Sequence, residues 1–123
     1  MRVPQKIKLH KASRQLELVY EGEHFFLSAE LLRTHSPSAE VQGHGKPVLQ
    51  YGKLNVGIEK LETSGNYALK ITFDDGHDSG LFTWAYLEEL ARNQDSIWNE
   101  YVDALAAAGK SRDPDASAVK LML

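Results

Sequence analysis

Five histidines, at positions 10, 24, 35, 44 and 77, are the residues of this chain best suited to metal or acid–base chemistry. His35 and His44 lie in the polar stretch "LLRTHSPSAEVQGHG" (31–45), beside Ser36, Ser38, Glu40 and Gln42, and His77 lies in "FDDGHDSG". Two histidines and a carboxylate can hold iron, most often from a His-x-Asp or His-x-Glu start. The histidines here begin HKA, HFF, HSP, HGK and HDS, so that start is missing, and no His-x-x-x-His pair shares a helical face. Each lone histidine therefore reads first as an exposed or hydrogen-bonded loop residue. His35, His44 and His77 fall in turn-rich segments that could converge. The expectation is no bound metal or cofactor, with a divalent metal such as zinc or iron on those three histidines as the alternative.

The other polar clusters point to less. Asp74, Asp75 and Asp78 lack the alternating oxygen ligands of a calcium loop, and Asp and Gly are what a tight turn needs anyway. "GHGK" has neither the first glycine nor the Ser or Thr of a phosphate loop. Ser36 and Ser38 have no nucleophile-elbow context. Trp84 and Trp98 stand at helical spacing from Leu and Tyr and read as core anchors. No catalytic residue is expected, and the chain is not expected to be an enzyme. With Pro37 stiffening one end and Gly43 and Gly45 loosening the other, residues 34–45 read either as a solvated connector or as a recognition loop. In the second reading His35, Ser36, Ser38, Glu40, Gln42 and His44 are the candidate binding residues.

Strands and helices must position that loop. "QKIKLHK" and "SRQLELVY" alternate apolar and polar residues around a short turn, the pattern of a half-buried hairpin, and "EGEHFFL" adds a third strand. Ser28 can cap a helix through "AELLR", which must stop near Ser36 because Pro37 disfavours helical geometry in the residue before it. Tyr67, Leu69, Ile71 and Phe73 give the cleanest strand alternation, and "HDSGLF" can supply a short returning strand. Thr83 caps a helix with Trp84, Leu87, Leu90 and Ala91 on one face. A second helix starts at Asp95 or Ser96, carries Ile97, Tyr101, Leu105 and Ala108, and ends at Gly109. Strands early and in the middle with helices late imply an α+β two-layer arrangement, with a mostly antiparallel sheet and helices packed on one side. The expected organisation is one domain over 1–109 and a flexible tail over 110–123.

Composition narrows the class further. The 123 residues hold 42% hydrophobic and 25% charged side chains, as an ordinary globular domain does. A formal charge of -3 gives no electrostatic footprint for nucleic acid. Basic residues gather only in the first strand, at Arg2, Lys6, Lys8 and Lys11, where lysines keep a sheet edge soluble. The absence of cysteine removes disulfides and thiolate-held metals and fits a reducing compartment. No apolar run approaches the roughly 18 residues of a membrane span, so no membrane partner and a cytoplasmic location are expected.

"LLRTHSPSAEVQGHG" together with "ITFDDGHDSGLFTWAYLEELA" resembles the γ-butyrobetaine hydroxylase-like N-terminal domain family, a domain of unknown function, over about Ile7 to Ala91. In the eukaryotic hydroxylases this domain precedes an iron and 2-oxoglutarate oxygenase domain. It carries a zinc there, held by a Cys-Pro-Cys-x-x-Cys block and one histidine after an acidic turn. The resemblance puts Ser36, Ser38 and Val41 at the cysteine positions and His77 at the histidine position, as in a stand-alone bacterial-type member without the zinc cysteines. No oxygenase domain is expected here. Domains of this family are also fused to P-loop iron–sulfur cluster carrier ATPases. The resemblance thus implies a non-catalytic domain acting through protein contacts in metallocofactor handling, with an iron–sulfur cluster carrier as the partner class. The alternative it implies is a metal-binding accessory of an oxygenase-type system.

Overall fold

Alternation in the first thirty residues produces a closed meander. The computed structural model describes residues 2–116. In it β1 (Lys6–His10), β2 (Gln15–Tyr20) and β3 (Glu23–Ser28) pair antiparallel in chain order. Leu9 and Leu27 flank Leu16 in register, so Leu16, Leu18, Tyr20 and Leu27 share a face, and all four are buried. Lys6 and Lys8 are exposed on β1, an edge strand. Ser28 then caps α1 (Ala29–Thr34), its Oγ accepting from the Leu31 N–H at 3.0 Å.

A second meander follows: β4 (Ile58–Ser64), β5 (Ala68–Phe73) and β6 (Leu81–Thr83), again antiparallel in chain order. Leu69, Ile71 and Phe73 are buried, as alternation demands. Tyr67 is outside the strand and 51% exposed. Thr83 Oγ1 accepts from the Tyr86 N–H at 3.2 Å and opens α3 (Trp84–Arg92), whose Trp84, Leu87, Leu90 and Ala91 are all buried. α4 (Gln94–Ala108) starts ahead of the expected Asp95 or Ser96 cap and ends at Gly109 with φ 66°, a left-handed cap that glycine adopts without strain. Leu16, Leu18 and Leu27 from one meander meet Ile71, Phe73 and Phe82 from the other, with Leu32, Leu87 and Leu90 from helices, in a single core. Each such side chain contributes about 1.5–3 kcal/mol on burial.

The α+β class and antiparallel pairing are as the pattern implied. The strands divide between two three-stranded sheets, and the segment between Thr34 and Ile58 joins them. Most of that segment is irregular, but it includes α2 (Ala39–Gln42) and a 3-10 turn over Gly43–Gly45. The stretch expected to be a flexible tail from Lys110 starts with chain held on the domain. Gly52 and Leu54 donate their N–H groups to the carbonyls of Ser111 and Arg112 at 2.9 and 3.0 Å. Arg112 also forms a two-pronged ion pair with Glu30 at 2.8 and 2.7 Å. A buried carboxylate on α1 needs such a partner. The rest of that stretch, from residue 117 on, lies outside the described residues.

Candidate functional site

The loop after α1 is fastened at both ends by tyrosines from the late helices. Tyr86 of α3 donates its hydroxyl to the His35 carbonyl at 2.6 Å, and Tyr101 of α4 donates to the Gln50 carbonyl at 2.8 Å. Between these anchors the Val48 N–H donates to the Val41 carbonyl at 2.7 Å, and the Gln42 side chain donates to the Ser36 carbonyl at 2.9 Å. Residues 35–50 are therefore a tied loop rather than a free connector.

Ser36, Ser38 and His77, forty residues apart in the chain, come together under this loop. His77 Nε2 lies 3.0 Å from Ser36 Oγ and 3.2 Å from Ser38 Oγ, and all three residues are buried. Ser38 heads α2 but makes no side-chain cap, since its hydroxyl is turned to the histidine. His77 Nδ1 faces Glu40 Oε2 at 3.4 Å. A carboxylate only accepts, so with the proton on Nδ1 the single Nε2 lone pair is shared between the hydroxyls of Ser36, the nearer, and Ser38. Gly80 backs onto the cluster: a Cβ there would overlap Ser36 Oγ and lie 3.1 Å from Pro37 Cδ. Burial depresses the His77 pKa, with the Arg33 charge adding to it, against weaker opposing pulls from Glu40 and Asp75.

Asp75 holds the turn from the other side. Its Oδ1 accepts from the His77 N–H at 3.1 Å, and its Oδ2 meets Arg33 Nε at 2.8 Å and Lys53 Nζ at 3.2 Å. Burial pushes the Asp75 pKa up, but the His77 N–H and the two cations outweigh it and hold the carboxyl below the usual range.

Serine, histidine and glutamate occur here in the order of a hydrolase relay. A nucleophile must be reachable, though, and Ser36 is 0% exposed and Ser38 only 4%. As a metal centre the cluster offers one imidazole nitrogen and two neutral hydroxyls. That donor set does not fit a zinc held by three thiolates and a histidine, because hydroxyls are poor zinc ligands beside thiolates. Val41, at the third cysteine position, is buried and offers no side-chain donor. Among the described residues no three His, Asp or Glu side chains gather to hold a metal.

The remaining candidates part company. His35 points away from this cluster: its ring stacks edge-on to Tyr101 with centroids 5.6 Å apart, whereas His77 packs near Phe73 at 6.1 Å. Glu40 is on the surface with its side chain 71% exposed. His44 belongs to the 3-10 turn, and its side chain lies outside what the structure describes. His10 and His24 are strand residues, not loop residues. They clasp the buried Glu17 carboxylate, His10 Nε2 at 2.8 Å and His24 Nδ1 at 2.7 Å. The His24 and then the His10 hydrogen bond pull the Glu17 pKa down. Strand parity could have found this trio, since Glu17 pairs with Lys8 and Phe26 and the histidines are its diagonal neighbours. Nothing local in the sequence marks Gly80, Tyr86 or Tyr101 as partners of the loop.

The chain is thus a two-meander α+β domain in which a histidine-bearing acidic turn closes over a Ser-Pro-Ser loop. The model of the family described as "Gamma-butyrobetaine hydroxylase-like, N-terminal" matches residues 7–88, and the chain belongs to that family. It is similar to a protein solved in solution by NMR, with 66% identity and a TM-score of 0.86, over 100% of this chain and 99% of the other. A second NMR structure matches at 51% identity and TM-score 0.78, over 91% and 87% of the two chains. A crystal structure of a protein of unknown function from Acidithiobacillus ferrooxidans, assigned to the DUF971 family, matches at 32% identity and TM-score 0.60, over 72% of this chain and 91% of that one. No protein of curated function matches the chain. No helix among the described residues is long and apolar enough to cross a membrane.

Proposed function

We propose that the chain is a non-catalytic domain that acts through protein contacts made by the tied loop and the strap after it, residues 51–54, which is held to Ser111 and Arg112. The observation that carries this reading is where the polar and apolar groups of that region face. Ser36, Ser38 and His77 satisfy one another in the interior, while Tyr51 and Leu54 stand 51% and 40% exposed on the strap. Groups spent on each other are poor at chemistry. Exposed apolar side chains on a segment pinned at both ends suit recognition, because little ordering entropy is lost on contact. The partner class implied by family resemblance is an iron–sulfur cluster carrier, which makes metallocofactor handling the working context.

The test is co-purification with an iron–sulfur cluster carrier ATPase as bait, comparing wild type with a Tyr51→Ser/Leu54→Ser variant and with Glu40→Ala. Wild type is expected to be retained, and the strap variant to lose most of that retention with its melting temperature unchanged. Equal retention of all three proteins, or none of any, would count against this reading.

A further inference from the structure

A cleft of about 530 Å³ opens between α3, α4 and residues 47–50, a volume inside the roughly 300–1,000 Å³ range of small-molecule sites. Val41, Leu49, Tyr86, Leu90, Ile97 and Tyr101 make it largely apolar. Its charged groups are of one sign. Glu89 of α3 and Glu100 of α4 line it and are exposed, and among the described residues no Lys or Arg lines it. The ion pairing of α3 runs instead through Glu88 and Arg92, at 2.8 Å.

His35 adds one directional group. Its Nδ1 lies 3.1 Å from the Leu31 carbonyl and 2.9 Å from Thr34 Oγ1, whose own proton goes to the Glu30 carbonyl at 2.8 Å. A carbonyl only accepts, so the Nδ1 proton is fixed and Nε2 keeps its lone pair. Nε2 has no hydrogen-bond partner among the described residues and is not sealed from solvent. Burial lowers the His35 pKa, which keeps the ring a neutral acceptor at pH 7. Apolar walls, two carboxylates without an ion-pair partner among the described residues and a bare acceptor select a particular chemistry.

We propose that this cleft binds a small ammonium compound with an apolar body. The body packs against Tyr86, Tyr101 and Ile97, the ammonium lies toward Glu89 and Glu100, and an N–H is available to His35 Nε2. An anion would meet two carboxylates and no cation among the described residues, and a neutral alcohol could donate a hydrogen bond but would gain no charge attraction from either glutamate. The site shares a wall with the tied loop proposed for protein contacts, but neither Tyr51 nor Leu54 lines it, so the strap variant and the glutamate variant report on the two readings separately.

Titration of the ¹⁵N-labelled full chain with n-hexylamine, n-hexanol and n-hexanoate tests this by amide chemical shifts. The amine is expected to produce saturable shifts at Gln42, Val48, Ile97 and Tyr101 and to bind more tightly than the alcohol, with hexanoate weakest. A Glu89→Gln/Glu100→Gln variant, altered only at exposed positions, should weaken the amine about three- to tenfold and leave the alcohol unchanged. Alcohol binding as tight as amine binding, an unaffected double variant, or no saturable shift by about 10 mM amine would each overturn the proposal.

Discussion

His77 divides its ring between two serine hydroxyls on one side and a carboxylate on the other, inside a pocket that leaves no room behind Ser36. His77→Ala removes these bonds and is expected to cost about 1–2 kcal/mol, read as a lower urea midpoint. Gly80→Ala drives a methyl into Ser36 Oγ and should cost about 1–3 kcal/mol, the range for overpacking. Adding Ser36→Ala should recover part of that loss, a coupling that a double-mutant cycle measures. The pH dependence follows from the same site. The folded pKa values of His77 and His35 are both below the ordinary 6.5, so an unfolded chain takes up protons first as the pH falls. The unfolded state then binds more protons, and stability drops from about pH 6.5 downward until the folded values are passed. Asp75, held below its ordinary value, keeps its contribution above about pH 4 and loses it only at lower pH. Urea midpoints should therefore fall between pH 7.5 and 5.5, and less so in His77→Gln.

The elements were legible in the sequence where burial has a period. Leu16, Leu18 and Leu27, or Trp84, Leu87 and Leu90, reveal their strand and helix because one face is apolar. Ser28 and Thr83 mark helix starts by chemistry alone. The site was legible only in part. Family resemblance brought Ser36, Ser38 and His77 to one place, but the tyrosine anchors and the Arg112–Glu30 clasp join residues far apart in the chain, which no local pattern encodes. The division into two sheets was hidden for the same reason, since alternation sets each strand's faces and not its neighbours. At this scale the Arg112 clasp makes a prediction. Arg112→Ala leaves the buried Glu30 carboxylate without its cation, and with the Arg112 side chain 40% exposed the loss should be about 1–2 kcal/mol. NMR order parameters at Ser111 and Arg112 should match those of α4 in wild type and fall in the variant.

Taken whole, the molecule is two meanders that share a core and no strand pairing. Each closes within its own stretch of sequence, 6–28 and 58–83, so strand pairing needs no distant partner and folding should be fast, in the millisecond range or below. The core needs both halves at once. During synthesis the first meander can pair its strands before residue 58 exists, yet the apolar face of Leu16, Leu18 and Leu27 then waits for Phe73, Phe82 and Leu87 to arrive. A fragment of residues 1–57 is expected to bind ANS and to aggregate, while the full chain does neither, as fluorescence and light scattering would report. The nascent protein is thus expected to pass through a brief interval as a sticky half-molecule, open to the chaperones around the ribosome until α3 has been made.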